Sequence, residues 1–461
     1  MIKLDDEPLL RGDLKPPDAP AAAGHQRNVI ALLIFFGLFL VYAHRVCISI
    51  AAAEHVRGGM QLEYNWSNTQ QSLVLSSFFY GYLINQFPGG WLSEKYGGKS
   101  VFALSASLAA LGTALTPLTA SNFPSLIVCR VITGVAEAWS YPCIHALMAE
   151  WAPAPERARM LSFSWAGSYL GTALAMPISS TLLMQVSWQS VFYFWGFFGF
   201  CWTALWITFS ASRPTEHPFI SQEEVAYISY HVQSKAVNGS KVAPLRPDVF
   251  KIFTSSAVWA CIAGHTAFNW VIYMLLTELP SFMKVVLGME LAASGRLSGL
   301  PFLTLFVTQT AAGMAADWLV KKGHARVITV RRCFTSFGLL AAGAFLVLTS
   351  YVQDTALAVG FMVASVAMVG TCSSGFGCSM LDIATDDASY IYALSNTVAT
   401  VPGIVAPLIT GALLDHFDCQ EDGDSNCREA YRVLFLFSAT VVMGGGALVY
   451  SIFVRAEKLF R

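Results

Sequence analysis

The chain has 461 residues, 55% of them hydrophobic and only 12% charged, with a formal net charge of −1. Soluble domains carry roughly 25% charged residues, so a large water-soluble globule is excluded. The near-neutral balance, with no basic cluster, excludes a nucleic-acid partner.

The chain opens on a polar leader. Within it "DDEPLL" places Asp5 ahead of Leu9 and Leu10, the pattern of an acidic dileucine sorting signal that an adaptor would read from a cytosolic tail. Apolar runs then recur near 28–53, 71–93, 100–119, 123–149, 158–184, 188–211, 254–279, 294–317, 326–350, 355–379, 388–414 and 430–454. Each is long enough to cross a hydrocarbon core of about 30 Å as a helix. The spacing therefore predicts an all-α membrane protein with twelve transmembrane helices in the lipid bilayer. The first run begins near Asn28 and is too long for the apolar core of a cleavable signal peptide. The longest polar interruption, about Arg213 to Lys251, holds Pro214, Pro218, Pro244 and Pro247 and reads as a loop with a short surface helix. The expected organisation is an N-terminal tail (1–27), a six-helix bundle (28–212), a linker (213–252), a second six-helix bundle (253–455) and a short tail (456–461).

The halves repeat. "GGWLSEKYGGK" after the second run sets Gly90 four residues before Glu94, with Lys95 and Lys99 beyond. "AGMAADWLVKKG" after the eighth sets Gly313 four residues before Asp317, with Lys321 and Lys322 beyond. A glycine one turn before a carboxylate lets helices approach while the acid meets a helix end or a cation. This points to two related bundles and to conformational gating at those loops. Lys95, Lys99, Arg157, Arg159, Lys321, Lys322, Arg326, Arg331 and Arg332 lie in alternate loops, which the positive-inside rule places in the cytosol with both termini. The other face then receives the sequon Asn65-Trp-Ser67, a glycosylation candidate, and the loop "CQEDGDSNC", where a Cys419–Cys427 disulfide fits an oxidising compartment. The sequon at Asn238 falls on the cytosolic side and is expected to be unused. Most other cysteines, Cys47, Cys129, Cys143 and Cys261 among them, sit in apolar runs as packing residues.

Charges inside the runs are the strongest functional signal. Arg45 lies mid-helix in "VYAHRVCISI", where an arginine costs about 2.5–3.5 kcal/mol even on an insertion scale. It should face a cavity or a partner, as a clamp for an anion or as a structural ion pair. Tyr42 and Ser49 share its face. His44 points about 100° away and reads first as a packed, hydrogen-bonded side chain. In the fourth run Arg130 and Glu137 are seven residues apart and so share a helix face, with Tyr141 a turn further. Burial and a neighbouring cation pull a carboxylate's proton affinity in opposite directions, which makes Glu137 the proton-coupling candidate and Arg130 its expected partner. A permanently ionised pair is the alternative. His145 either relays protons or orders the helix. In the seventh run His265, Asn269 and Tyr273 recur every four residues, a stripe expected to line a water-filled path. Tyr80 and Phe79 in the second run and Asn396 in the eleventh either contact a substrate or pack between helices. Gly167 and Gly171 read as packing residues. The cluster Asp382, Asp386 and Asp387 lacks the spacing of a calcium loop, and no nucleophile–base constellation, metal spacing or phosphate loop suggests an enzyme. No metal or cofactor is expected.

The stretches 76–99 ("SSFFYGYLINQFPGGWLSEKYGGK"), 130–159 ("RVITGVAEAWSYPCIHALMAEWAPAPERAR"), 187–196, 269–283 and 394–407 resemble the major facilitator superfamily, and within it the anion:cation symporter family. The resemblance covers nearly the whole membrane region. It implies a secondary active transporter whose partners are a small anionic substrate (an organic anion such as a monocarboxylate or acidic sugar, or phosphate) and a coupling proton or sodium ion; a monomer is expected. It also implies a substrate role for an arginine at position 45 and functional roles at 130 and 137. A second acid found in many relatives four residues before Glu137 is Thr133 here. Glutamate-transporting relatives carry an arginine in the seventh helix where this chain has Ala267 to Trp270, which favours a substrate with one charge. The dileucine pattern points to an endolysosomal or vacuolar membrane, with the plasma membrane as the alternative.

Overall fold

The computed structural model describes residues 26–53, 58–153, 156–237, 249–383, 388–419 and 425–455, and among them there is helix and no strand. Twelve spans run back and forth in two sets of six. The first set comprises Gln26–Ala51, Asn68–Tyr96, Gly98–Thr119, a broken fourth span (Phe123–Glu137 and Ser140–Trp151), Arg157–Gln185 and Trp188–Phe209. The second set opens with Ser256–Val285, a stepped eighth span (Leu291–Ser298 and Leu300–Lys321) and Val327–Tyr351. It closes with three interrupted spans whose main segments are Thr355–Gly370, Val401–His416 and Ser425–Thr440. Among the described residues nine segments are apolar and long enough by themselves to cross a bilayer. The second, fourth and fifth spans, more polar or broken, complete the twelve.

The breaks have local causes that hydropathy does not display. Pro142 has no N–H to return to the carbonyl of Ala138, and the fourth span is interrupted there. The hydroxyl of Ser105 donates to the neighbouring Ala136 carbonyl at 2.7 Å. Pro402 likewise cannot serve Val398, and the eleventh span (its first segment Ala388–Val398) turns at Ala399 and Thr400. In the twelfth span three consecutive glycines, 444 to 446, lie in a π-helical stretch, Val441–Leu448.

Close approach of backbones sets the position of the second and fourth spans. A Cβ at Gly134 would strike the carbonyl of Phe78, so only glycine lets these helices meet there. Gly167 and Gly171 face the backbone of Phe35 and Phe39 on the first span, the packing role expected of them.

Two antiparallel seams join the halves. In one, the second span meets the eleventh: Asp415 accepts from the backbone N–H (3.1 Å) and the hydroxyl of Thr69, and Gln86 is bonded to Asn396 (2.9 Å) and Thr400 (3.0 Å). In the other, the fifth meets the eighth, with Tyr169 donating to Gln309 at 2.9 Å and Gly299 against the backbone of Ala173. Towards the end bearing the basic loops, His145 of the first half faces Tyr392 of the second at 6.1 Å between ring centroids.

The linker carries the expected surface helix, Gln222–Val237. Its Glu224 accepts from the backbone N–H groups of Gln26 and Arg27 at 3.0 and 3.1 Å, capping the free donors at the start of the first span. The Arg27 guanidinium bridges Glu224 and Glu156. Asp5, Leu9 and Leu10 lie outside the described residues, as do Asp386, Asp387 and Asn238.

Candidate functional site

Arg45 is where the first span places it: 4% exposed, in mid-membrane, inside the first bundle. Its Nε and Nη2 donate to the Glu137 Oε2 at 3.3 and 3.2 Å. Three rings enclose it, with the guanidinium carbon 4.6 Å from the centre of Tyr42 and 4.7 Å from those of Phe78 and Tyr82. Cations on aromatic faces in desolvated sites gain about 2 kcal/mol or more, and a planar guanidinium stacks better than an ammonium. Glu137 is fully buried, and its Oε1 has no hydrogen-bond partner, nor does Arg45 Nη1. The pair is thus bonded through one oxygen only, with a donor and an acceptor left over at the same spot.

Arg45, from the facing helix, makes the hydrogen bonds to Glu137, while the expected partner Arg130 stays within electrostatic reach of the same carboxylate. The Arg130 guanidinium lies over the Phe78 ring at 5.4 Å, with Nε unpartnered. Cation–π contact with one ring therefore holds two like charges near each other. His44 turns away from this group, as expected, and its Nε2 is 3.1 Å from the Trp195 carbonyl.

Several residues singled out from sequence have other employment. Tyr42 belongs to the cage, and its hydroxyl meets that of Tyr141 at 3.1 Å. Ser49 is buried on the same face, but its hydroxyl donates to Val46 on its own helix. Tyr80 meets Ser76 of its own helix at 3.5 Å, whereas Phe78 and Tyr82, which the sequence reading did not select, form the cage. The helical spacing of Phe78 and Tyr82, one turn apart, was a usable signal. Asn396 is spent on Gln86 across the halves.

The stripe on the seventh span does not line a water-filled path in this conformation. His265 and Asn269 are buried against the eleventh span, Nδ1 of His265 lying 2.9 Å from Ser395 Oγ and Asn269 donating to the Ala399 carbonyl at 2.8 Å. The Pro402 break exposes backbone at that level, and the stripe satisfies it. Tyr273 packs on Phe79 with ring centres 4.9 Å apart. His145 makes ring contacts to Trp165 and Tyr392 rather than meeting Glu137.

At the basic end Lys99 donates to the Ser210 carbonyl at 2.7 Å, and Lys95 stands over Trp91 and Tyr96. The surroundings of Gly90 and the side chains of Glu94, Asp317, Arg157 and Arg159 lie outside what the structure describes. A Cβ at Gly313 would meet Ser374 Oγ only at 4.0 Å, so no close approach occurs there in this conformation. At the opposite end Cys419 and Cys427 are disulfide-bonded, and Asn65 is exposed.

Twelve spans in two bundles, with a charge pair buried in the first, have the architecture of a membrane transporter. The Major Facilitator Superfamily model matches residues 34–389. Human sialin is 34% identical over 98% of this chain and 94% of its own length. Human vesicular glutamate transporter 2 is 31% identical over 98% of this chain and 78% of its own. Among solved structures, a bacterial homologue of the human lysosomal transporter Spinster superposes with a TM-score of 0.72 at 14% identity, covering 92% of this chain and 96% of that one. A D-xylose–proton symporter does so with a TM-score of 0.68 at 16% identity, covering 93% and 98%. The chain belongs to the Major Facilitator Superfamily, in the anion:cation symporter family that includes sialin and the vesicular glutamate transporters.

Proposed function

We propose that this protein is a proton-coupled symporter of a small organic monoanion, a monocarboxylate or acidic sugar, with phosphate as the further candidate. The observation that carries the reading is the buried charge count. Away from the helix ends, the described part of the first bundle buries two guanidinium groups, Arg45 and Arg130, against one carboxylate, Glu137, a net charge of +1. An anion that draws Arg45 away leaves Glu137 buried without its counterion, which is costly unless the acid takes up a proton. One monoanion and one proton entering together keep the buried charge at +1. Loaded and empty sites then carry the same charge, so a full cycle moves no net charge against a membrane potential, which is worth about 2.3 kcal/mol per charge per 100 mV. The absence of a cation between Ala267 and Trp270 on the seventh span fits a substrate with a single charged pole.

In this reading Arg45 holds the anion in a fork of hydrogen bonds, Tyr42, Phe78 and Tyr82 orient the fork, and Glu137 carries the proton. Arg130 supplies the standing positive charge. The basic end faces the cytosol, Asn65 and the disulfide face the lumen or exterior, and the dileucine pattern directs the protein to an endolysosomal or vacuolar membrane.

The test is uptake by proteoliposomes. Labelled glucuronate, lactate, glutamate and phosphate are offered under imposed proton, sodium or voltage gradients. Uptake of a monoanion driven by a pH gradient, rising as the source side is acidified and indifferent to voltage, is the expected result. No gradient-driven uptake of any of the four would leave a non-transporting sensor as the better reading, and strict sodium dependence would remove Glu137 as the carrier of the driving ion.

A further inference from the structure

Phe78 and Phe79 stand side by side on the second span but serve different halves. Phe78 is fully buried and touches both guanidinium groups, Arg45 at 4.7 Å and Arg130 at 5.4 Å. Phe79 turns the other way, out of its own bundle. Its ring lies 4.9 Å from that of Tyr273 and is seated on Gly403 of the eleventh span, where an added Cβ would come within 2.5 Å of the ring carbons. The two rings meet edge to face at 5.2 Å.

The seat lies in the middle of the seam between the second and eleventh spans. Reading along it, Thr69 faces Asp415, Ser72 faces Gly411, Phe79 faces Gly403 and Gln86 faces Asn396 and Thr400. The paired numbers fall on one side as they rise on the other, so this is one continuous antiparallel contact. Polar bonds hold its two ends, and the Phe79 ring keys its centre. Just beyond the key, the second span has Pro88 within it, so the helix is not a uniform rod below Gln86.

We propose that the Phe78–Phe79 pair is the positioning device that links the charge state of the buried site to the seam between the halves. When Arg45 leaves Glu137, its guanidinium shifts on the Phe78 face. Phe78 is packed against Phe79 and shares its backbone, so the shift is passed to a ring that has one close-fitting seat. A close-packed ring answers displacement by leaving the seat rather than by sliding within it. The seam then loosens at its centre, and the end bearing the disulfide can open. This deepens the transport reading, since it names how the proposed proton site would govern opening.

The test needs no transported substrate, so its outcome is separate from that of the uptake assay. Ser72→Cys places a reporter in the seam, and its rate of reaction with a membrane-impermeant maleimide added to the disulfide-bearing face is measured above the background of the chain's own cysteines. Glu137→Gln serves as the protonated state. With Phe79 present, Glu137→Gln is expected to raise the labelling rate severalfold. In the Phe79→Leu background the same substitution should change the rate by less than twofold. A second variant, Gly403→Ala, should raise the rate by itself, because its methyl group occupies the seat. An equal response to Glu137→Gln with Leu at position 79 overturns the link, as does no response in either background. Labelling of Gly403→Ala at the parent rate overturns the seat. Thermal unfolding of each variant in detergent identifies any that has failed to fold, and Phe79→Met then replaces Phe79→Leu.

Discussion

The two bundles share a topology but spend their buried polar groups differently. In the first, Arg45, Arg130 and Glu137 put formal charge in the buried interior, and three rings enclose Arg45. At the corresponding level of the second, the seventh span offers His265 and Asn269, and both are bonded to the eleventh span. Charge in low dielectric is costly and specific, whereas neutral hydrogen bonds to a broken helix hold backbone together at little risk. The comparison teaches that a duplicated fold can bury formal charge in one copy where the other, at the same level, uses neutral hydrogen bonds.

The largest expected effect comes from breaking the charged side. Arg45→Ala leaves a buried carboxylate alone and should cost about 3–5 kcal/mol of stability, read as a fall in the unfolding midpoint in detergent. Removing Glu137 as well should recover much of the loss, and a double variant no more stable than Arg45→Ala would show that the two do not act as a pair. Arg45→Lys keeps the charge but loses the fork, worth about 1.5–3 kcal/mol, so uptake should fall roughly 10- to 100-fold. Normal transport by that variant would remove the clamp.

Glu137→Gln should fold, since a neutral amide of the same shape fills the carboxylate's place and three rings still enclose Arg45, and should exchange substrate across the membrane while losing accumulation against a pH gradient. Exchange and accumulation measured in the same vesicles check this. On the neutral side the effects should be smaller and of a different kind. Asn269→Ala strips the Ala399 carbonyl of its donor and should cost about 1–3 kcal/mol, with the apparent affinity for substrate unchanged. Ser395→Ala removes one neutral partner of His265 and should cost about 0.5–1.5 kcal/mol. If Asn269→Ala instead alters affinity as strongly as Arg45→Lys, the division of labour between the bundles fails.

Much of this was legible in the residues. The twelve runs, the central polar interruption and the repeated Gly-x-x-x-acid loops each rest on local properties, hydropathy and spacing, that survive without knowledge of neighbours. The burial of Arg45 and Glu137 followed from their place in apolar runs. Their partnership did not, because the sequence orders residues along one helix and says nothing of how two helices are rotated against each other. Arg130 and Glu137 share a face, which made the nearer residue in sequence look like the partner. The same blindness hid Phe78 and Tyr82, whose aromatic character suits a lipid face as well as a cage.

By itself, then, the sequence determined the number of spans, the two-bundle organisation and which charges must be hidden, since the cost of charge in hydrocarbon depends on residue type and depth alone. The tertiary structure decided which guanidinium meets the carboxylate, why the seventh-span stripe turns to the eleventh span and where the halves are keyed together. Those outcomes depend on helix rotation, on backbone approach at Gly134 and Gly403 and on the break at Pro402. Each is a relation between segments far apart in the chain, set by packing and not by any one segment's own preferences.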